Sequence, residues 1–323
     1  MALENGIAQQ VEEFIAAGRP SARRQRIDDR RAGYVASTVL AGETETRVEV
    51  RDVELEGMTL RVVSPRHASG ALPCVIYYHG GCFVSGGFAT HDNQLRQLAY
   101  ASGCRVIAIQ YRLAPEHTFP AAHDDAEKGA HLIWQYAEKL GIDRQRITLA
   151  GDSAGGHLAL VTALRLKAAK QWLPAQLMLI YPMLDATASC ESYNRNGLDY
   201  IITRDTLLTG YEWYLPHTDR QHPEASPLWR DDFNGLPPTH IITAEYDPLC
   251  DEGETLYQRL TMQGVDCTCQ RYLGVIHGFF QLGGISHAAR NAMQDLAWRA
   301  GMLREKTVAD KAYAYSSSFP PSS

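Results

Sequence analysis

Gly151-Asp152-Ser153-Ala154-Gly155-Gly156 is the stretch on which the fold turns. It follows a run of strand character, Arg146 to Ala150, and precedes a helix-forming one, His157 to Ala169. Small residues on both sides of Ser153 allow a sharp turn that lifts the hydroxyl above the end of a sheet. The helix that follows points its positive end at the same hydroxyl. As a bare pattern Gly-x-Ser-x-Gly arises by chance in about one chain in ten. Its position between a strand and a helix is what gives it weight.

Outward from this turn, strands are expected over 73–79, 104–111, 146–151, 176–181, 239–245 and 267–273. They are short and rich in Val, Ile, Leu and Tyr, and several are apolar throughout, as sheet buried on both faces requires. Helical stretches fill the gaps near 91–102, 121–140, 154–170, 249–263 and 287–303. Ahead of them, Val48, Val50 and Val53, then Leu60, Val62 and Val63, flank a Glu56-Gly57 turn and read as a hairpin. A hairpin followed by repeated strand–helix units predicts an α/β fold: a mostly parallel eight-stranded sheet with helices on both faces. Residues 5–40 read as helix, with the basic cluster Arg23 to Arg31 as its solvated face. The span between the strands ending near 181 and starting near 239 is longer than one crossover needs. It carries Tyr193, Tyr200, Tyr211, Trp213, Tyr214 and Trp229, the composition either of a lid over a pocket or of a helical hairpin packed for stability.

A serine nucleophile needs a base, and the base needs an orienting acid. Asp247 stands just past the strand 239–245, although an Asp before Pro248 also suits a helix cap, and Asp251 is its local competitor. His277, in Gly274-Val275-Ile276-His277-Gly278-Phe279, is the best placed of the twelve histidines to be the base. Ser, Asp, His is the chain order expected after a strand–turn–helix nucleophile. His79-Gly80-Gly81-Cys82-Phe83 closes the strand 73–79, where successive glycines allow backbone N–H groups to approach a tetrahedral intermediate.

Taken together, these motifs resemble those of the hormone-sensitive-lipase-like esterases of the α/β-hydrolase superfamily. The likeness spans roughly 60–300 and includes Tyr111-Arg112-Leu113-Ala114-Pro115-Glu116-His117 and Asp247-Pro248-Leu249 with Asp251-Glu252. It implies a serine carboxylesterase with Ser153 as nucleophile, His277 as base and Asp247 as acid, and an oxyanion hole drawn from Gly80, Gly81, Cys82 and Ala154. It also implies a helical cap made of 1–45 and 185–225 over a catalytic core of 46–184 and 226–305, with 306–323 as a flexible tail. Phe83, Tyr193 and Trp213 become candidates for substrate contact, and small esters with short or medium acyl chains the expected substrates. The same machinery on amides, lactones or acetylated sugars is the enzymatic alternative, and a silent binding member of the fold the other. The family usually has a third glycine where this chain has Cys82. We expect Cys82 to adopt an ordinary negative φ there, and its thiol to make the enzyme sensitive to thiol reagents.

Composition narrows the field further. The 323 residues carry 31 Lys and Arg against 37 Asp and Glu, a mild net charge of −6 that argues against a nucleic-acid binder. No apolar run approaches the roughly 20 residues of a membrane span, and with Glu4, Glu12 and Glu13 interrupting the first residues no secretory signal is expected there. Seven cysteines without a CxxC pair fit a reducing cytoplasm, and neither His-Glu-x-x-His nor a nucleotide loop appears, so no metal or cofactor is expected. The outer strand 267–273 could pair with a second copy to give a homodimer.

Overall fold

Glu56 and Gly57 both take left-handed backbone (φ 48° and 77°), the geometry of a two-residue hairpin turn. They join β1 (Val48–Leu55) to β2 (Met58–Pro65), in register from Leu55 opposite Met58 to Val48 opposite Pro65. In the computed structural model, which describes residues 2–18 and 21–316, this hairpin opens one sheet. It continues through β3 (Leu72–Tyr78), β4 (Arg105–Ile109), β5 (Ile142–Asp152), β6 (Gln176–Ile180), β7 (Thr239–Tyr246) and β8 (Cys267–Ile276). The order across the eight strands is β1-β2-β4-β3-β5-β6-β7-β8. The first two pairings are antiparallel and the rest parallel, as expected for a hairpin followed by crossovers.

The helices are α1 (Asn5–Ala16), α2 (Ile27–Ala36), α3 (Phe88–Ser102), α4 (Ala121–Gln135), α5 (Ala137–Leu140), α6 (Ala154–Ala168), α7 (Ser192–Arg195), α8 (Arg204–Tyr214), α9 (Cys250–Met262) and α10 (His287–Ser316). Successive side chains of a strand point to opposite faces. Ile76, Ile107, Leu149 and Leu179 therefore pack under α4, α6 and α9 with Ile133, Leu158 and Leu256. Val75, Val106, Ala150 and Met178 pack under α1, α3 and α10 with Ile7, Leu98 and Leu296. Coverage on both sides explains why the central strands read as continuous apolar runs.

From β3 the chain crosses to β4 on one side, then returns past β3 to lay down β5 on the other. Where crossovers part in this way, the carboxyl ends of the two neighbouring strands leave a crevice between their loops. Tyr78 pairs with Gly151 at that point, so His79-Gly80-Gly81 leaves the sheet beside Asp152-Ser153.

The N-terminal segment departs from expectation. In place of one helix over 5–40 there are α1, α2 and two short 3₁₀ turns, Ala22–Arg24 and Ser37–Ala41, with left-handed Gly18 (φ 56°) following α1. The buried side of α1, Ile7 and Val11, belongs to the core under the sheet. The later part turns to α8 instead. Nor is the Arg23 to Arg31 cluster merely solvated: Arg23 pairs with Asp205 (2.6 Å) and Glu212 (2.8 Å), and Arg30 donates to the Thr206 carbonyl (3.2 Å). Carboxylates of the insertion thus tie Arg23 to α8 at the surface, with its side chain still half exposed. At the other end α10 continues past Lys306 to Ser316, and residues 317–323 of the expected tail lie outside the described residues. Among the described residues no helix is long and apolar enough to cross a membrane.

Candidate active site

β5 ends at Asp152 and α6 begins at Ala154, leaving Ser153 alone to reverse the chain with φ 56° and ψ −117°. A non-glycine residue in such a conformation is strained, by about 1–3 kcal/mol, and such strain collects at functional sites. The turn is tight enough that a methyl on Gly155 would lie 1.9 Å from the Tyr78 carbonyl oxygen. The small residues of the motif are thus required by the crossing of α6 over β3.

β7 delivers Asp247 directly after Tyr246, and β8, longer than expected, delivers His277 directly after Ile276. Ser153 Oγ lies 3.0 Å from His277 Nε2, and His277 Nδ1 lies 2.8 Å from Asp247 Oδ2. The three residues are 4 %, 7 % and 0 % exposed. The second oxygen of Asp247 accepts the Leu249 N–H at 2.7 Å, which fixes the carboxylate plane. A carboxylate at Nδ1 keeps the proton on that nitrogen and leaves the Nε2 lone pair facing the hydroxyl. The Tyr181 ring, 4.6 Å from the His277 ring, packs against the imidazole. Asp251 is elsewhere, paired with Arg195 at 2.8 Å.

Across the crevice the loop after β3 bends through Gly81 (φ 128°), Cys82 (φ 55°) and Phe83 (φ 64°). Cys82 is therefore left-handed, contrary to the ordinary φ expected of it, because the loop must turn back tightly enough for Val84 and Ser85 to donate to the Gly81 carbonyl (3.0 Å each). A side chain in that region costs about 1–2 kcal/mol. Gly80 also differs from expectation. Its N–H donates to Asp152 Oδ1 at 3.1 Å and so is engaged in holding the loop. Behind it His79 stacks on Tyr111 at 4.2 Å, and the Tyr111 hydroxyl donates to the His79 carbonyl (2.7 Å). Burial drives the His79 imidazole down to about 3, so it stays neutral.

Of the residues expected to touch substrate, two are fully covered by neighbours. Phe83 stacks on Tyr214 (4.4 Å) and meets His157 edge-on (5.1 Å), and no part of it is exposed. Tyr193 is buried with its hydroxyl on Glu252 Oε1 (2.7 Å). Each gives its surface to packing and has none to offer a ligand. Trp213 is only partly buried, near the Arg30 guanidinium (5.8 Å to the ring centre).

Sequence reasoning missed the residues that grip the loop. Arg31 donates to the Val84 carbonyl (2.8 Å), the Ala114 carbonyl (3.0 Å) and both oxygens of Glu116 (2.7 Å each), holding the Glu116 carboxyl down at about 2. Glu116 belongs to the motif Tyr111 to His117, but nothing local in the sequence names its partner. His91 is a second case: its Nε2 lies 3.0 Å from Asp152 Oδ1, beside the turn at Ser153. Among the described residues no group of His, Cys, Asp and Glu is arranged to hold a metal, and Cys74, Cys82, Cys190, Cys250, Cys267 and Cys269 are in no disulfide.

A sheet of this order, carrying these loops at its carboxyl edge, defines an α/β hydrolase. The family model described as alpha/beta hydrolase fold matches residues 75–281. The chain is 37 % identical over 256 residues to the carboxylesterase NlhH of Mycobacterium tuberculosis, covering 77 % of this chain and 80 % of the relative. It is 35 % identical over 292 residues to an ethyl acetate hydrolase of Pseudomonas putida, covering 87 % and 92 %. A hyperthermophilic esterase from the archaeon Pyrobaculum calidifontis superposes with a TM-score of 0.87 at 36 % identity, over 94 % of this chain and 99 % of that one. The chain belongs to the hormone-sensitive-lipase-like esterases of the α/β-hydrolase superfamily, and it is a carboxylic ester hydrolase.

Proposed function

We propose that Ser153, His277 and Asp247 form the catalytic triad of this hydrolase, acting on small esters with short or medium acyl chains. The observation that carries the reading is the unbroken line from Ser153 Oγ to His277 (3.0 Å) to Asp247 (2.8 Å), built from the ends of three strands. In the proposed reaction Ser153 attacks the ester carbonyl as its proton passes to His277 Nε2. Asp247 supports the imidazolium so formed. The tetrahedral oxyanion is met by the amides of Gly81, Cys82 and Ala154, each such donor worth about 3–4 kcal/mol in comparable sites. His277 returns the proton to the departing alcohol, and water, activated by the same imidazole, releases the acid from Ser153.

In this reading the cap expected of 1–45 and 185–225 narrows to 22–36 and 185–225, since α1 packs into the core under the sheet, with core segments 46–184 and 226–305 beneath it. The Arg23 pairs with Asp205 and Glu212 support that division. Trp213 is the aromatic residue left to line an acyl pocket, and free thiols favour a reducing cytoplasm as the working compartment. The test is Ser153→Ala: covalent labelling by a fluorophosphonate should vanish while the fold persists, and nitrophenyl ester hydrolysis should fall by about 10⁴-fold or more. Labelling that survives the substitution refutes the nucleophile. A nitrophenyl series with its maximum at long acyl chains refutes the substrate class.

A further inference from the structure

Two consecutive left-handed residues, Cys82 and Phe83, need something to hold them, and α8 of the insertion is what touches both. The Gly210 backbone lies directly against Cys82: a methyl at position 210 would fall 2.6 Å from Cys82 Cβ and 3.1 Å from its carbonyl oxygen. One turn further along α8, Tyr214 stacks on Phe83 at 4.4 Å. Glycine is a poor residue for a helix interior. At 210 it allows the helix to seat on a cysteine that stands where relatives of this family usually have a glycine.

We propose that Gly210 is a positioning residue for ester hydrolysis: its bare backbone seats α8 on Cys82 and so holds the Cys82 amide where the oxyanion forms. The proposal rests on the reading of that amide as an oxyanion donor. Cys82 and Gly210 are then a matched pair, with bulk on the loop answered by its absence on the helix. The hole is complete while α8 is seated, which makes the insertion part of the catalytic geometry as well as a cover. Displacing a positioned group by about 1 Å can cost on the order of 100-fold in rate, and a Cβ at 210 forces a shift of that order in either the loop or the helix.

The test compares wild type, G210A, C82G and C82G/G210A with a short-chain nitrophenyl ester and with a trifluoromethyl ketone as tetrahedral mimic. G210A should lose about tenfold or more in kcat with KM within about twofold, and bind the ketone weaker by a similar factor, because only the charged intermediate depends on the amide. C82G removes the colliding Cβ, so C82G/G210A should lie within about threefold of C82G. A G210A enzyme with wild-type kcat, or a double variant no better than G210A, overturns the proposal. Should G210A not fold, the double variant decides alone: folded and close to C82G supports the pairing, unfolded or inactive overturns it. Activity that is lost in S153A but unmoved in G210A rejects this proposal and leaves the triad standing.

Discussion

Asp152 Oδ1 accepts the N–H of Gly80 at 3.1 Å, so the residue before the candidate nucleophile also anchors the loop facing it. The same oxygen receives the Tyr77 hydroxyl (2.9 Å) and lies 3.0 Å from His91 Nε2. Burial alone would raise this carboxyl, but His91 and Tyr77 outweigh it and hold the carboxyl below its usual range. Asp152→Ala strands the Gly80 amide and the Tyr77 hydroxyl in the interior. We expect a loss of about 3 kcal/mol in urea unfolding, together with a fall in kcat as the loop loosens. Asp152→Asn, which keeps an acceptor, should lose less of both. A D152A protein as stable and active as wild type would show that the contact carries no weight.

Acidification should act first through buried imidazoles. Burial drives His157 down to about 4, against the Met183 and Glu224 carbonyls that favour its proton, and drives His123 well below its ordinary value. Between about pH 6.5 and pH 4 the unfolded chain protonates these groups while the folded one does not. The unfolded state then binds more protons, so stability is full above about 6.5 and falls as the pH drops toward 4. Depressed carboxyls such as Glu116, at about 2, add their loss only below the ordinary carboxylate range. Urea midpoints measured from pH 7.5 to 4.5 should therefore decline steadily, at constant ionic strength. A flat profile over that window would contradict neutral, buried His157 and His123.

Arg31 and Glu116 separate an exposed ion pair from a buried set of contacts. The Glu116 side chain is 52 % exposed, so its carboxylate should contribute less than about 1 kcal/mol despite the two short contacts. The Arg31 guanidinium also satisfies the Val84 and Ala114 carbonyls beside the loop that follows β3. Arg31→Ala should thus lower both stability and kcat clearly, whereas Glu116→Gln should leave stability within about 0.5 kcal/mol of wild type. Equal losses in the two variants would mean that the ion pair, rather than the carbonyl contacts, is what matters.

Much of the site is legible in the chain because each group sits at a strand end marked by its own neighbours. Gly151 and Gly155 announce the turn at Ser153, Pro248 follows Asp247, and Gly278 follows His277. The unbroken apolar runs of the central strands likewise revealed the two-sided burial of the sheet. What stayed hidden depends on the route of irregular chain. Arg31 meets Glu116 across 85 residues of sequence, and Gly210 meets Cys82 only because the insertion folds back over the loop. The interruption of the expected helix at 5–40 is by contrast a local matter: Gly18 and Pro20 mark it in the sequence, and the helical spacing on either side hides it. Cys82 is different. The glycine expected at that position is itself a signal of positive φ, and favouring ordinary backbone for Cys82 over the left-handed alternative gives that signal too little weight.

That backbone also revises what thiol reagents should do. Cys82 is only 5 % exposed, with burial raising its pKa more than the nearby Arg30 lowers it, so little reactive thiolate is present at neutral pH. Cys190, Cys267 and Cys269 are each only partly buried, with pKa values pushed up to about 12 by the same effect. They should alkylate first, by access, and with little change in rate because none lies at the proposed triad or the loop. Activity should then fall in a slower phase that tracks modification of Cys82, since a carboxamidomethyl group has no space between the loop and Gly210. Mass spectrometry of iodoacetamide-treated enzyme, sampled alongside residual esterase rate, reads both phases. Full occupancy at Cys82 with the rate intact would mean that the thiol's surroundings yield easily, and that the loop does not depend on the packing seen here.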